Sequence, residues 1–226
     1  MKDQYVGDFG DYQKVSLLRN LHEQDISVLV HWMRTRDDGS TDGKHITYLE
    51  KPEVWRAYDA EVYDFFKSTM DAGKRLLSVI EASRSLRSVQ FLNAYIEDRN
   101  VRAETLDLAV RSGADVVLFD PDNGIEVPST NRKNVHKYVM WEEILTTINA
   151  GKSVIVYQHF SRTSREAFIT NKVKEIQQRT SLPVMSIQVR HSVYFFIIQR
   201  MHEARMRNAI KAFARTWKEM AMVRPY

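Results

Sequence analysis

Asp115-Val-Val-Leu-Phe-Asp-Pro-Asp-Asn-Gly-Ile-Glu126 is the stretch on which the fold turns. Its first half is a continuous apolar run with no polar alternation, which reads as a strand covered on both faces. Its second half breaks off with an acid, a proline and an Asn-Gly pair, residues suited to a tight turn. A buried strand ending in a polar turn belongs to parallel α/β sheets, where ligands bind beyond the carboxyl ends of the strands.

Outward from this stretch the same rhythm recurs. Ser153-Val-Ile-Val-Tyr157 and Ile26-Ser-Val-Leu-Val-His-Trp32 are short, β-branched and apolar. Segments 27–30, 116–119 and 154–157 are therefore expected to be neighbouring interior strands with both faces covered. Apolar spacing at three and four residues predicts helices over 15–21, 59–70, 103–110, 135–148 and 164–178, with glycines at 73, 113 and 151 after three of them. Residues 75–98 carry no decisive pattern. Pro183 stops the fifth helix, and segments 184–189 and 192–198 read as two strands joined at Arg190-His191, close enough for a hairpin. Met206, Ile210, Phe213, Trp217 and Met220 then form the buried stripe of a last helix. Alternating strands and helices of this kind require right-handed parallel crossovers. The expectation is a single α/β domain over 1–226, in three layers, with a mostly parallel sheet ending in an antiparallel hairpin.

Composition narrows the setting. With 43% hydrophobic and 27% charged residues, the 226-residue chain is of the globular kind, and no linker divides it. No apolar run approaches a membrane span, no secretory pattern opens the chain, and cysteine is absent, which removes disulfides and thiolate chemistry. A cytoplasmic protein with no membrane partner is expected. The net charge of +4 is concentrated near the end, where Arg200, Arg205, Arg207, Lys211, Arg215, Lys218 and Arg224 face only Glu203 and Glu219. Such a tail contacts phosphates or simply solvates a helix face.

Four loops compete for the chemistry. Asp120, Asp122, Asn123 and Glu126 gather two acids, a carboxamide and a third acid within seven residues, which would raise a carboxyl pKa or attract Mg²⁺ or Mn²⁺. The same residues also make an ordinary turn. Gln158-His159-Phe160-Ser161-Arg162 brings an imidazole and a guanidinium to the same sheet edge, where His159 could serve as a general base, a metal ligand or a phosphate contact. Asp37, Asp38, Asp42 and His45 crowd the loop after the first strand and could complete a cation site, or form a solvated turn. The amino-terminal turn is the fourth. No Walker loop, Gly-x-Gly-x-x-Gly, His-Glu-x-x-His or serine elbow is present.

In order along the chain, Gly7-Asp-Phe-Gly-Asp-Tyr-Gln-Lys-Val-Ser-Leu-Leu-Arg19, Phe119-Asp-Pro-Asp-Asn-Gly-Ile-Glu126, Val154-Ile-Val-Tyr-Gln-His159 and the closing strand hairpin resemble the ribosomal RNA adenine-N6 methyltransferases of the RlmJ type. The resemblance is one of layout over most of the chain and implies a Rossmann-like methyltransferase fold. It implies that S-adenosylmethionine is met by the amino-terminal turn and helix, with Asp11 and Lys14, and by the loop after Trp32. It also implies that Asp120-Pro121 holds the target adenine amine. Here His31-Trp-Met-Arg-Thr-Arg-Asp-Asp38 stands in place of the family's glycine-rich loop, and Asp122 and Asn123 in place of its second proline and tyrosine. Tyr157 or Phe160 could supply a ring for a flipped base.

Three readings follow. The first is a nucleic-acid base methyltransferase in which Asp120 and Asn123 accept from an exocyclic amine, while Arg162, Arg205, Lys211, Arg215 and Lys218 hold phosphates. The second is a nuclease or phosphoesterase with a divalent cation on Asp120, Asp122 and Glu126 and a proton moved by His159. The third is a catalytically inactive module that binds nucleic acid or a protein partner.

Overall fold

A computed structural model describes residues 1–36, 43, 45–161 and 163–226. In chain order it holds α1 (Phe9–His22), β1 (Val28–Arg34), α2 (Pro52–Trp55), α3 (Ala60–Asp71), α4 (Leu77–Glu81), β2 (Gln90–Tyr95), α5 (Arg99–Arg111), β3 (Val116–Phe119), β4 (Gly124–Ile125) and β5 (Tyr138–Val139). These are followed by α6 (Trp141–Asn149), β6 (Ser153–His159), α7 (Arg165–Thr180), β7 (Val184–Gln188), β8 (Ser192–Ile197), α8 (Glu203–Thr216) and β9 (Met222–Pro225).

The apolar run at 116–119 is β3, hydrogen-bonded in parallel to β1 on one side and β6 on the other, with Leu118 opposite both Val30 and Ile155. These are the three adjacent interior strands that the sequence predicts. Alternate residues feed two separate cores. Val30, Trp32, Leu118 and Ile155 pack with Leu17, Phe66 and Phe213 of α1, α3 and α8. Leu29, Val117, Val154 and Val156 pack with Ala109, Ile144 and Val173 of α5, α6 and α7. Period-two alternation between two covered faces explains why no polar residue interrupts the run. All four β3 side chains are 0% exposed, and burying each stabilises the fold by roughly 1.5–3 kcal/mol.

The seven-stranded sheet has the order β2-β1-β3-β6-β8-β7-β9. Strands β2, β1, β3, β6 and β7 point one way, and β8 and β9 run against them. The chain places β2 on one side of β1 and then returns to place β3 on the other, so the crossovers part at β1 and β3, where an open sheet forms its ligand crevice.

Three elements differ from the sequence expectation. The indecisive region contains β2, an edge strand with three of its six residues exposed, too wet to show an apolar signature. The expected hairpin is present as β7 and β8, but β8 is inserted between β6 and β7, and β9 adds a further strand outside β7. Pro225 is tolerated there because an edge strand leaves one side of its backbone unpaired. The helix expected over 135–148 starts only at Trp141, because Tyr138 and Val139 pair with Gly124 and Ile125 in a second small sheet. Among the described residues no helix is long and apolar enough to cross a membrane.

Candidate functional site

Asp8 caps α1, its side chain accepting from the Asp11 amide at 3.0 Å. Capping fixes the first helical turn, which carries Asp11 and, three residues on, Lys14. Asp11 accepts from the Gly7 amide through Oδ2 at 3.1 Å and from the Lys14 ammonium through Oδ1 at 3.2 Å. The ammonium also donates to Asp120 Oδ2 at 2.9 Å, across 106 residues of sequence. Its Nζ stands 4.8 Å from the centre of the Tyr157 ring and 5.2 Å from that of Trp32. Lys14, Asp11 and Asp120 are each 2% exposed.

Burial alone would lower the Lys14 pKa, but the Asp120 and Asp11 carboxylates outweigh it and hold the lysine charged, well above its ordinary value. Asp11 behaves differently. Burial pushes it up, Lys14 works against that, and the neighbouring Asp8 and Asp120 add to the rise, so that its pKa reaches about 7. The Lys14 ammonium thus faces three carboxyl groups, and burial raises both Asp8 and Asp11 above the ordinary carboxylate range.

The acidic turn is stapled on every side. The Asp120 amide continues the β1 ladder to the His31 carbonyl at 3.1 Å. Asp122 accepts from the Met1 ammonium at 2.8 Å and the Thr35 hydroxyl at 2.7 Å. Burial pushes its pKa up, but these two donors outweigh it and hold the carboxyl below the ordinary range. The Asn123 amide donates to the Lys137 carbonyl at 2.8 Å, and its carbonyl accepts from the His159 amide at 3.0 Å. Gln158 accepts from the Ile125 amide at 2.9 Å and donates to the carbonyls of Asn123 and His159 at 2.9 and 2.8 Å. This side chain lies so close to Gly124, whose φ is +131°, that a β-carbon there would fall 2.2 Å from its amide. Sequence reasoning missed Gln158, since a glutamine at the end of a strand carries no local mark of what it will clamp.

These pieces enclose a cleft of about 690 Å³, lined by Lys14, Asp120, Asp122, Asn123, Tyr157 and His159 among others. It also takes in Phe9 and Asp8 from the start of α1, and His45 and His191 at the mouth. The volume suits a small organic ligand. His159 is exposed in the cleft, its ring edge-on to Tyr157 with centroids 5.1 Å apart. The protein crowded around it lowers its pKa; Asp120 opposes this and Lys14 adds to it, so the ring is neutral at pH 7 and able to accept a proton.

Other candidate residues are placed elsewhere. Trp32 is 0% exposed, stacked on Phe91 beneath Lys14, and does not line the cleft. Glu126 turns away to cap α6, accepting from the Trp141 amide at 2.6 Å. Among the described residues no group of three histidine, aspartate or glutamate side chains is arranged to hold a metal ion. Phe160 packs on Phe168, outside the cleft. Arg205 is held at the amino edge of the sheet, donating to the Asp25 carbonyl at 2.6 Å with Asp115 at 3.6 Å. Lys211, Arg215 and Lys218 stand exposed along or just beyond α8. Asp37, Asp38, Asp42 and Arg162 lie outside the described residues.

The place to which the resemblance assigns S-adenosylmethionine, at the carboxyl end of β1, is covered by residues 1–5. Met1 donates to the Met33 carbonyl at 2.8 Å and its own carbonyl accepts from the Thr35 amide at 3.3 Å. Asp3 pairs with Arg34 and accepts from the Leu77 amide at 2.9 Å. Among the described residues, Trp32 is buried beneath this end of the strand, whereas Asp11 and Lys14, the other residues to which the resemblance assigns the cofactor, line the cleft. Compared with known proteins, the chain matches no family model and no curated sequence.

Because Glu126 serves α6, Glu126→Ala should lower unfolding stability by about 1 kcal/mol, the usual worth of a cap, and leave any Mg²⁺ affinity unchanged. Chemical denaturation and Mg²⁺ calorimetry check this. A loss of metal binding in the variant would restore Glu126 to the site.

Proposed function

We propose that the cleft binds one nucleotide of a nucleic acid on a methyltransferase-like, Rossmann-like scaffold, and that the chain recognises the base without S-adenosylmethionine. The observation that carries this reading is the polarity of the cleft. Asp8, Asp11 and Asp120 gather around the Lys14 ammonium and offer carboxylate acceptors for an exocyclic amine, while Met1, Lys2 and Lys137 line the same cleft and imidazoles stand at its mouth. Tyr157 and Asn123 line the same cleft, and the edge of the mostly buried Tyr157 ring is the aromatic surface that a base would meet. The resemblance adds support, since its amino-terminal helix and its Asp-Pro turn are the two segments joined by the pair of Lys14 and Asp120.

Trp217, just beyond α8, is buried against Phe9 with ring centroids 6.0 Å apart, and Phe9 lines the cleft. Binding of a strand that also reaches the exposed Lys211, Arg215 and Lys218 would weaken with salt.

Calorimetry with adenosine, cytidine and uridine 5′-monophosphates tests the reading. Adenosine and cytidine monophosphates carry the exocyclic amine and should bind about tenfold more tightly than uridine monophosphate, the worth of one hydrogen bond to a charged acceptor. Asp120→Asn, which keeps an acceptor oxygen but removes its charge, should reduce that preference. Tight binding of S-adenosylmethionine or Mg²⁺ with no response to nucleotides would overturn the reading in favour of the methyltransferase or the metal-dependent hydrolase.

A further inference from the structure

His45 and His191 come from distant segments and meet face to face at the mouth of the cleft. Their ring centroids are 5.4 Å apart and their planes within 15° of parallel. His45 precedes α2 and is anchored through its carbonyl, which accepts from the Phe9 amide at 3.0 Å. His191 sits at the tip of the β7–β8 hairpin, whose turn is closed by the Val189 amide donating to the Ser192 carbonyl at 2.9 Å. Both side chains are exposed, and both line the cleft.

The charges around the pair are mostly positive. Partial burial lowers the His191 pKa, and Arg190 on the hairpin, His45 and Arg165 at the start of α7 lower it further. Asp8 is the acid that faces His45. Stacked imidazoles with two guanidinium groups nearby repel one another once protonated, and a bound anion removes that repulsion.

The geometry assigns the His45–His191 pair as the phosphate subsite of the cleft, taking the monoester or diester phosphate of a nucleotide whose base lies at Tyr157. This deepens the proposed nucleotide reading and rests on it for the base. Protonated imidazoles stacked in this way donate N–H groups to different oxygens of one phosphate, and because the His191 pKa is lowered, phosphate binding there strengthens toward acid pH. Ser192, next in the chain and also in the cleft lining, lies beside the same position.

The test is an NMR titration of the histidine ring resonances in the full chain, with inorganic phosphate, adenosine and adenosine 5′-monophosphate at pH 6 and pH 8. Phosphate and the monophosphate should both shift His45 and His191, more at pH 6. The ratio of monophosphate to adenosine affinity should fall about tenfold in His191→Gln and in His45→Gln, the loss of one charge-assisted hydrogen bond. If adenosine binds but the ratio is unchanged in both variants, the subsite is wrong and the base reading survives. If adenosine fails to bind while phosphate still shifts both rings, the subsite stands and the base reading falls. Rings unmoved by phosphate and by the monophosphate overturn the assignment.

Discussion

Lys14→Met is expected to destabilise the fold by about 3–5 kcal/mol, because it leaves buried carboxylates with no partner. The lysine is 2% exposed and holds Asp11 and Asp120 together, so its removal exposes each acid to the other and to Asp8. The deficit should depend on pH, and its sign follows from Asp11. That carboxyl has a folded-state pKa of about 7 against an ordinary 3.8, so ionising it opposes folding. Its contribution to stability is present in full below the ordinary carboxylate range and is lost as pH rises through about 7. Without the lysine the Asp11 carboxyl rises further, and the difference between variant and wild type should widen from pH 5 to pH 8. Urea unfolding at both pH values measures it. An equal deficit at the two, or one below about 1 kcal/mol, would mean that the ammonium does not neutralise this cluster.

Gly124→Ala should cost about 2–4 kcal/mol and remove nucleotide binding, since it strains the backbone and evicts Gln158. The φ of +131° favours glycine, and the nearest atoms to an added β-carbon are those of the Gln158 amide at 2.2 Å. Displacing that amide orphans the Ile125 N–H and loosens the Asn123 carbonyl, so the turn that carries Asp120 is left with the His159 amide as its remaining bond from Asn123 to β6. Gln158→Ala isolates the clamp from the clash. If both variants act through the same amide, the double substitution should be worse than Gly124→Ala by no more than about 0.5 kcal/mol in thermal or chemical unfolding. Fully additive losses would show that the glycine matters for backbone conformation alone.

Much of the fold was legible because burial leaves a local trace. Strands β1, β3 and β6 are each covered on two faces, so each appears as an unbroken apolar run, and the helices between them show their one buried stripe. Strands β2 and β9 stay at the edges, where exposed residues erase the pattern. Tyr138 and Val139 lie in a stretch with helical spacing but pair with β4, and that partner stands more than ten residues away in sequence. The acidic turn was recognisable from its residue types, whereas the tasks of its acids were not: Asp122 takes the Met1 ammonium and Thr35, and Glu126 caps α6.

The sequence by itself determined that a buried parallel strand ends in Asp120-Pro121-Asp122-Asn123, and that this end faces the loops of its neighbours, because strand polarity and covered faces follow from short-range pattern. Tertiary structure alone decided which charges meet there. Lys14 reaches Asp120 across 106 residues, residues 1–5 cover the end of β1, Gln158 clamps Gly124, and His45 stacks on His191. Contacts of this kind depend on how crossovers bring distant segments to one sheet edge, and no periodicity within a segment encodes its partner.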